Sequence, residues 1–145
     1  MIRTATLDDL DALVEGNAAM ALETEGLTLD PDVLRAGVRA ALEGQARYLV
    51  LQRDGRVVAQ LLQTTEWSDW RCRPVWWIHS VYVWPAYRRQ GLFRALYAAV
   101  LAEAEAAGVA GVRLYVDERN TPAQAVYRSL GMVGDHYRVF EAMFD

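Results

Sequence analysis

The chain has 145 residues, a formal net charge of −4, two histidines and one cysteine. A domain of that length buries most of its apolar surface without disulfides or a structural metal, and the lone Cys72 excludes an internal disulfide. The acidic balance argues against a general nucleic-acid binder, and no apolar run approaches the ~20 residues of a membrane span. The start, Met1-Ile2-Arg3-Thr4, has no apolar leader, so the cytoplasm is the expected location.

Ile2 to Ala5 reads as a short strand, and Thr6 with Asp9 three residues on predicts the start of a helix to about Leu22. Glu23 to Leu29 is a polar loop. Asp30-Pro31 opens a second helix with a capping side chain and a first-turn proline; Leu34, Val38 and Leu42 form its apolar stripe and Gly44 its exit. Tyr48 to Leu51 and Val57 to Leu62 flank Asp54-Gly55, the mark of an antiparallel hairpin. Trp67 to Pro74 reads as a loop and Val75 to Val83 as an apolar strand buried on both faces. From Gly91 to Ala107, Leu92, Phe93, Leu96, Tyr97, Val100 and Leu101 recur at helical spacing until Gly108. Val112 to Val116 is a further strand, and Thr121-Pro122-Ala123-Gln124 is a capping box opening a helix that Gly131 closes. Met132 to Phe144 is expected to hold a terminal pair of strands. Strand, helix, strand, helix through the middle implies a right-handed parallel crossover between antiparallel edges, hence a mixed α/β sheet in a single domain.

The most informative stretch is Val81-Tyr82-Val83-Trp84-Pro85-Ala86-Tyr87-Arg88-Arg89-Gln90-Gly91-Leu92-Phe93-Arg94. It runs from a strand through a basic glycine loop onto a helix start, where unpaired N–H groups and the helix dipole favour an anion. The nucleotide-hydrolase loop needs a lysine, and all 15 basic residues are arginines, for which biased codon usage is the simpler reading. The dinucleotide fingerprint needs three spaced glycines, whereas Gly91 stands alone. Arg71, Arg73, Arg88, Arg89 and Arg94 lie close in the chain, so positive charge can gather at one site of an acidic protein.

Arg88-Arg89-Gln90-Gly91-Leu92-Phe93 resembles the acetyl-CoA loop of the GNAT family of N-acetyltransferases, with Phe93 in place of the small last residue. Asn120-Thr121-Pro122-Ala123-Gln124-Ala125-Val126-Tyr127-Arg128-Ser129-Leu130-Gly131-Met132 resembles the second half of the family signature, with Met132 for the usual phenylalanine. The resemblance implies a mixed, mostly antiparallel sheet of six to seven strands with about four helices. Its central parallel strands, Val75 to Val83 and Val112 to Val116, would splay to admit the pantetheine arm. It further implies acetyl-CoA as cosubstrate, an amine as acceptor, and no metal. Val81, Tyr82, Val83, Arg88, Arg89, Gln90, Gly91, Leu92, Phe93, Arg94, Asn120, Ala123 and Tyr127 would hold acetyl-CoA, with the Val81 N–H as oxyanion donor and Tyr127 as general acid.

Attack on a thioester needs a neutral amine, and an alkyl amine with a pKa of ~10.4 is nearly all protonated at neutral pH, so a base or a water relay is required. Alternation places His79 on the face of Val81 and Trp77. By resemblance His79 matches a histidine of the serotonin-acetylating branch, while the glutamate of histone-type members would fall at Trp77. That leaves His79, Glu66 or a water relay; against His79, a lone histidine on an apolar strand is often only a satisfied core residue. Glu25, Glu66 and Trp77 are candidates for the acceptor side. Cys72 between two arginines allows an acetyl-enzyme, although a loop cysteine without a placed base is usually incidental. All five tryptophans, Trp67, Trp70, Trp76, Trp77 and Trp84, fall within eighteen residues, which suits core packing and a subunit interface, so a homodimer is allowed. The leading expectation is an acetyl-CoA-dependent N-acetyltransferase using direct attack in a ternary complex. A non-catalytic acyl-CoA sensor and a structural partner built on the tryptophans are the rival classes.

Overall fold

A computed structural model describes residues 1–144. They fall in two compact units, Met1–Leu114 and a shorter one that begins at Tyr115.

In the first unit, strand β1 (Ile2–Thr4) leads through a short 3-10 turn (Leu7–Asp9) into helix α1 (Leu10–Glu25). The turn is set by Asp9, whose carboxylate accepts the Thr6 N–H at 2.9 Å and both arms of the Arg3 guanidinium at 2.7 and 2.9 Å. The hydrogen bond from Arg3 holds the Asp9 carboxyl below its ordinary range. A depressed carboxyl pKa contributes stability above the unfolded value and loses it as pH falls through the folded one. Asp9→Asn is therefore expected to cost about 2 kcal/mol at neutral pH, a gap from the parent that closes below about pH 4 in denaturant titrations.

Helix α2 (Pro31–Ala40) starts where the Asp30 side chain accepts from the N–H groups of Asp32 and Val33, and it ends in a wider turn whose Gly44 adopts φ 123°. Strands β2 (Arg47–Arg53) and β3 (Arg56–Ser68) are joined by Asp54 and Gly55, both at positive φ, the two-residue turn whose twist matches a hairpin. Strand β4 (Arg73–Val83) returns antiparallel to β3, and the loop between them shrinks to residues 69–72 because the ladder continues from Glu66↔Val75 to Ser68↔Arg73. Trp70 at the tip of this hairpin is 88% exposed and Trp67 beside it 63%. Helix α3 (Leu92–Ala107) carries the chain to strand β5 (Val112–Leu114), parallel to β4.

The sheet order is β1-β2-β3-β4-β5, with one parallel pair at the β4–β5 edge. Pairing fixes the faces. Tyr48, Val50, Gln60, Leu62, His79 and Tyr82 look toward α1 and α2, where Leu10, Leu13 and Val38 complete a core cluster and Asn17 Nδ2 donates to the Tyr48 hydroxyl at 3.1 Å. Leu49, Leu61 and Ile78 lie on the other face with α3, whose buried side is Leu92, Leu96, Tyr97, Val100 and Ala104. Arg47 pairs with Glu103 of α3 on that side.

In the second unit, helix α4 (Thr121–Ser129) is capped one residue earlier than the sequence suggested: Asn120 Oδ1 accepts from the Ala123 N–H at 3.2 Å, and Gln124 donates to the carbonyls of Asp117 and Glu118. Asn120 thereby satisfies the third helical N–H, one of the donors that a helix start leaves without an intrahelical partner.

Five strands are present among the described residues, not six to seven. The expected strands in Met132 to Phe144 do not form: Gly134-Asp135 interrupts the run, Val139 and Phe140 stand side by side instead of alternating, and Phe140 is 94% exposed, so no buried face rewards a pleat. Among the described residues no helix is long and apolar enough to cross a membrane.

Candidate active site

Strand β4 is the axis of the site. Its pairing with β3 runs Gln63↔Ile78, Leu62↔His79, then Gln60↔Tyr82, so Ser80 and Val81 together oppose Leu61. This is a β-bulge, and Ser80 takes φ 52° to make it. The bulge corrects the expected alternation: the face of Trp77 and His79 passes to Tyr82, and Val81 is not on it, because one inserted residue reverses every side chain beyond it. Pairing with β5 ends at Ile78↔Leu114, so His79 to Val83 have no β5 partner. β5 is also shorter than the expected Val112 to Val116.

On the α1 face, the His79 ring stacks on Trp77 with centroids 6.1 Å apart, and its Nε2 lies 2.8 Å from Thr64 Oγ1. Burial pushes the imidazole below its ordinary pKa, which keeps it neutral. Glu66, the alternative base, instead accepts from Arg113 at 3.1 Å. Its ladder partner is Val75, four residues from His79, or about 13 Å along the strand. Glu25, the last residue of α1, is exposed.

Beyond Val83 the chain turns through Pro85–Tyr87 into the glycine loop. Arg88 Nε donates to the Val83 carbonyl at 2.9 Å and Nη2 to Glu23 at 2.7 Å, with the guanidinium 5.4 Å from the centre of the Tyr82 ring. The Tyr82 hydroxyl donates to the same Glu23 at 3.0 Å. The Arg88 bond holds the Glu23 carboxyl below its ordinary range, and burial with the carboxylate's company pushes the Tyr82 phenol up. Glu23 thus ties the end of α1 to the loop, a role the sequence did not reveal because its two partners lie far along the chain. Gln90 accepts from Arg53 at 2.6 Å, a second tie to the β2–β3 hairpin.

Gly91 caps α3 in the left-handed region at φ 73°, with no side-chain cap and no atom within 4 Å of where a Cβ would stand. The first-turn N–H groups at Leu92 to Arg94 begin the helix, with space beside Gly91 where a side chain would otherwise stand. Arg89, at φ 63°, and Arg94 are exposed beside it. Leu92 is buried under the sheet, and the Phe93 ring lies along the helix 6.0 Å from Tyr97. An unblocked helix start between arginines fits a pyrophosphate.

In the second unit, Asn120 and Ala123 form the cap of α4, and Tyr127 sits half-buried one turn further on. Burial pushes its phenol above its ordinary pKa. Among the described residues no group of His, Cys, Asp or Glu is arranged to hold a metal ion.

A three-residue parallel edge pair, a bulged strand and a glycine-capped helix place the chain among α/β acyltransferases. The chain belongs to the GNAT acetyltransferase family, whose sequence model matches residues 16–132. The structure of a possible acetyltransferase from Clostridium difficile 630 is 42% identical, covering 100% of this chain and 97% of that one, with a TM-score of 0.92. Two more distant structures share the fold. A ribosomal-protein-alanine N-acetyltransferase from Brucella melitensis biovar Abortus 2308 is 16% identical over 100% of this chain and 99% of that one, TM-score 0.82. An aminoglycoside acetyltransferase from an uncultured soil metagenomic sample is 17% identical over 100% and 96%, TM-score 0.80. No curated protein matches the chain.

Proposed function

We propose that this chain is a cytoplasmic, single-domain N-acetyltransferase that carries an acetyl group from acetyl-CoA to a primary amine by direct attack in a ternary complex. The observation that carries the reading is the bulge at Ser80 in β4, which leads within eleven residues into the glycine-capped start of α3 at Gly91. GNAT acetyltransferases use acetyl-CoA, which supplies an activated acetyl thioester. The N–H groups from Gln90 to Arg94 hold the pyrophosphate with Arg89 and Arg94, while Arg88, braced by Glu23 and Val83, keeps the loop in shape and reaches phosphate by exchanging Glu23 for it. The backbone of Val81, Tyr82 and Val83 aligns the pantetheine arm, and the Val81 N–H stabilises the negative charge that develops on the acetyl oxygen. Asn120 and Ala123 fix the start of α4, from which Tyr127 Oη donates a hydrogen bond to the departing sulfur. Trp77, Glu25 and Glu66 border the acceptor side. The chain also functions as a homodimer in this reading, with the exposed Trp67 and Trp70 available for an interface.

His79 takes the proton from the bound ammonium. Burial pushes its pKa down, so the neutral form predominates at neutral pH. The rate constant kcat/KM is expected to rise about tenfold per pH unit below the His79 pKa and to flatten above it, with the break below pH 6.5. His79→Ala is expected to lose that break, its rate climbing on toward the pKa of the amine at ~10.4. Identical profiles for parent and variant would remove His79 from the reaction.

The overall reading is tested by release of free CoA thiol over a panel of small and peptide amines. Turnover that falls with Arg89→Ala and Arg94→Ala through a raised acetyl-CoA Kd supports it. Tight acetyl-CoA binding with no turnover on any amine replaces it with the second reading, a non-catalytic acyl-CoA sensor, which the engagement of Glu66 by Arg113 favours by removing one candidate base. Unchanged CoA affinity in both arginine variants would overturn the cradle itself.

A further inference from the structure

Gln60 is the one polar residue in the apolar run Val57 to Leu62, and it is fully buried. Its Nε2 donates to the Ser80 carbonyl at 3.1 Å across the β3–β4 ladder. Since a carbonyl only accepts, the partner fixes which end of the amide faces it. The other end, Oε1, is buried without a hydrogen-bond partner. An amide in this position is a poor choice for packing alone, because a buried polar atom left unpaired carries its full desolvation cost and an apolar side chain carries none. What the amide supplies is a grip on one carbonyl of the bulge. Ser80 stands at φ 52°, a conformation that persists in a non-glycine residue only where its surroundings over-determine it. Helix α1 is shaped to admit the amide: a Cβ on Gly16 would meet Gln60 Oε1 at 2.5 Å and the Trp84 ring at 2.7 Å.

We propose that Gln60 is a positioning residue that holds the Ser80 carbonyl and so fixes the β4 bulge presenting the Val81 N–H to the acetyl oxygen. Its effect on rate rests on the acetyl-transfer reading; its effect on the bulge does not. The sheet supplies the frame and Gln60 sets the local geometry, so the residue acts on the rate of reaction and leaves the phosphate cradle alone.

The test compares the parent with Gln60→Leu and Gln60→Glu by amide hydrogen exchange and by kinetics. In Gln60→Leu the ladder amides that flank the bulge, among Leu62, His79 and Tyr82, are expected to exchange at least about tenfold faster with α3 unchanged. Its kcat is expected to fall about 100-fold, with the acetyl-CoA Kd within about twofold, as for loss of an oxyanion donor. In Gln60→Glu the carboxylate repels the Ser80 carbonyl at neutral pH, whereas the protonated acid can donate to it. The ratio of its kcat to the parent's is therefore expected to recover as pH falls, a response that a loosened core does not produce. Should the leucine variant fail to fold, the glutamate pH ratio and exchange decide. Exchange at the flanking ladder amides matching the parent, a kcat within about twofold of it, or a flat glutamate ratio overturns the proposal. A parent that turns over no amine overturns the acetyl-transfer reading instead, and exchange at the bulge then decides alone what Gln60 holds.

Discussion

Gly16→Ala is expected to lower the stability of the fold by about 1 kcal/mol, even though alanine is the better helix former by ~1 kcal/mol. The new Cβ would stand 2.5 Å from Gln60 Oε1 and 2.7 Å from the Trp84 ring. A flexible exposed side chain would step aside at little cost, but Gln60 is fully buried and tied at its far end to Ser80. Relief therefore requires either a shift of α1 off the sheet, at ~1–3 kcal/mol for overpacking, or a broken buried hydrogen bond at ~1–3 kcal/mol. At the middle of those ranges either exceeds the propensity gain, and the melting temperature should drop by roughly 3–4 °C. Gly37 supplies the opposite case within the same molecule: it lies exposed in α2 with nothing within 4 Å of its Cβ position. Gly37→Ala is expected to gain about 0.5–1 kcal/mol. Thermal melts of the two variants, expected on opposite sides of the parent, make the comparison direct; a Gly16→Ala protein melting at or above the parent would show that Gln60 yields freely.

Tyr127→Phe is expected to reduce kcat by about 100-fold while leaving the acetyl-CoA Kd within about twofold. A thiolate resembling that of cysteine, at ~8.5, is a weaker base than a phenolate at ~10, so complete proton transfer from the phenol is uphill by about 2 kcal/mol before burial is considered. Burial pushes the Tyr127 phenol higher still and widens that gap. The phenol thus remains protonated across the neutral range and serves as a hydrogen-bond donor in the proposed reaction, which is why phenylalanine removes the effect whole. The variant should show the same pH profile as the parent with a uniformly lower plateau. An unchanged kcat would show that the sulfur leaves unaided and would remove Tyr127 from the chemistry.

Local rules made much of the fold legible. Asp54-Gly55 and Asp30-Pro31 each satisfy a backbone requirement within two residues, and the hairpin and the α2 cap stand where the sequence placed them. The turn at Gly91 onto α3 was readable for the same reason, since a left-handed glycine before a helix needs no distant partner. What escaped depended on pairing across the chain. The bulge at Ser80 exists because β3 and β4 differ by one residue in register, which no periodicity of β4 alone reveals. The hold of Glu23 on Arg88 escaped because the two stand 65 positions apart. Gln60 did leave a signal, a polar residue inside an apolar strand, but only the placement of Ser80 says what it is for. The terminal strands were a false signal of composition, with apolar residues present and no neighbour to pair them.

The unequal exposure of the tryptophans has an optical consequence. Trp67 and Trp70 stand in water at the hairpin tip, whereas Trp76 and Trp77 within β4 and Trp84 just past its end are half-buried. Their emission should therefore divide into a red, acrylamide-quenchable component from the tip and a bluer, shielded one from the strand. Trp84 directly precedes the turn into the glycine loop, so a ligand in the cradle perturbs the shielded component, while one that covers the tip perturbs the red. One unlabelled chain can thus tell by its own fluorescence which end of β4 a newcomer has reached.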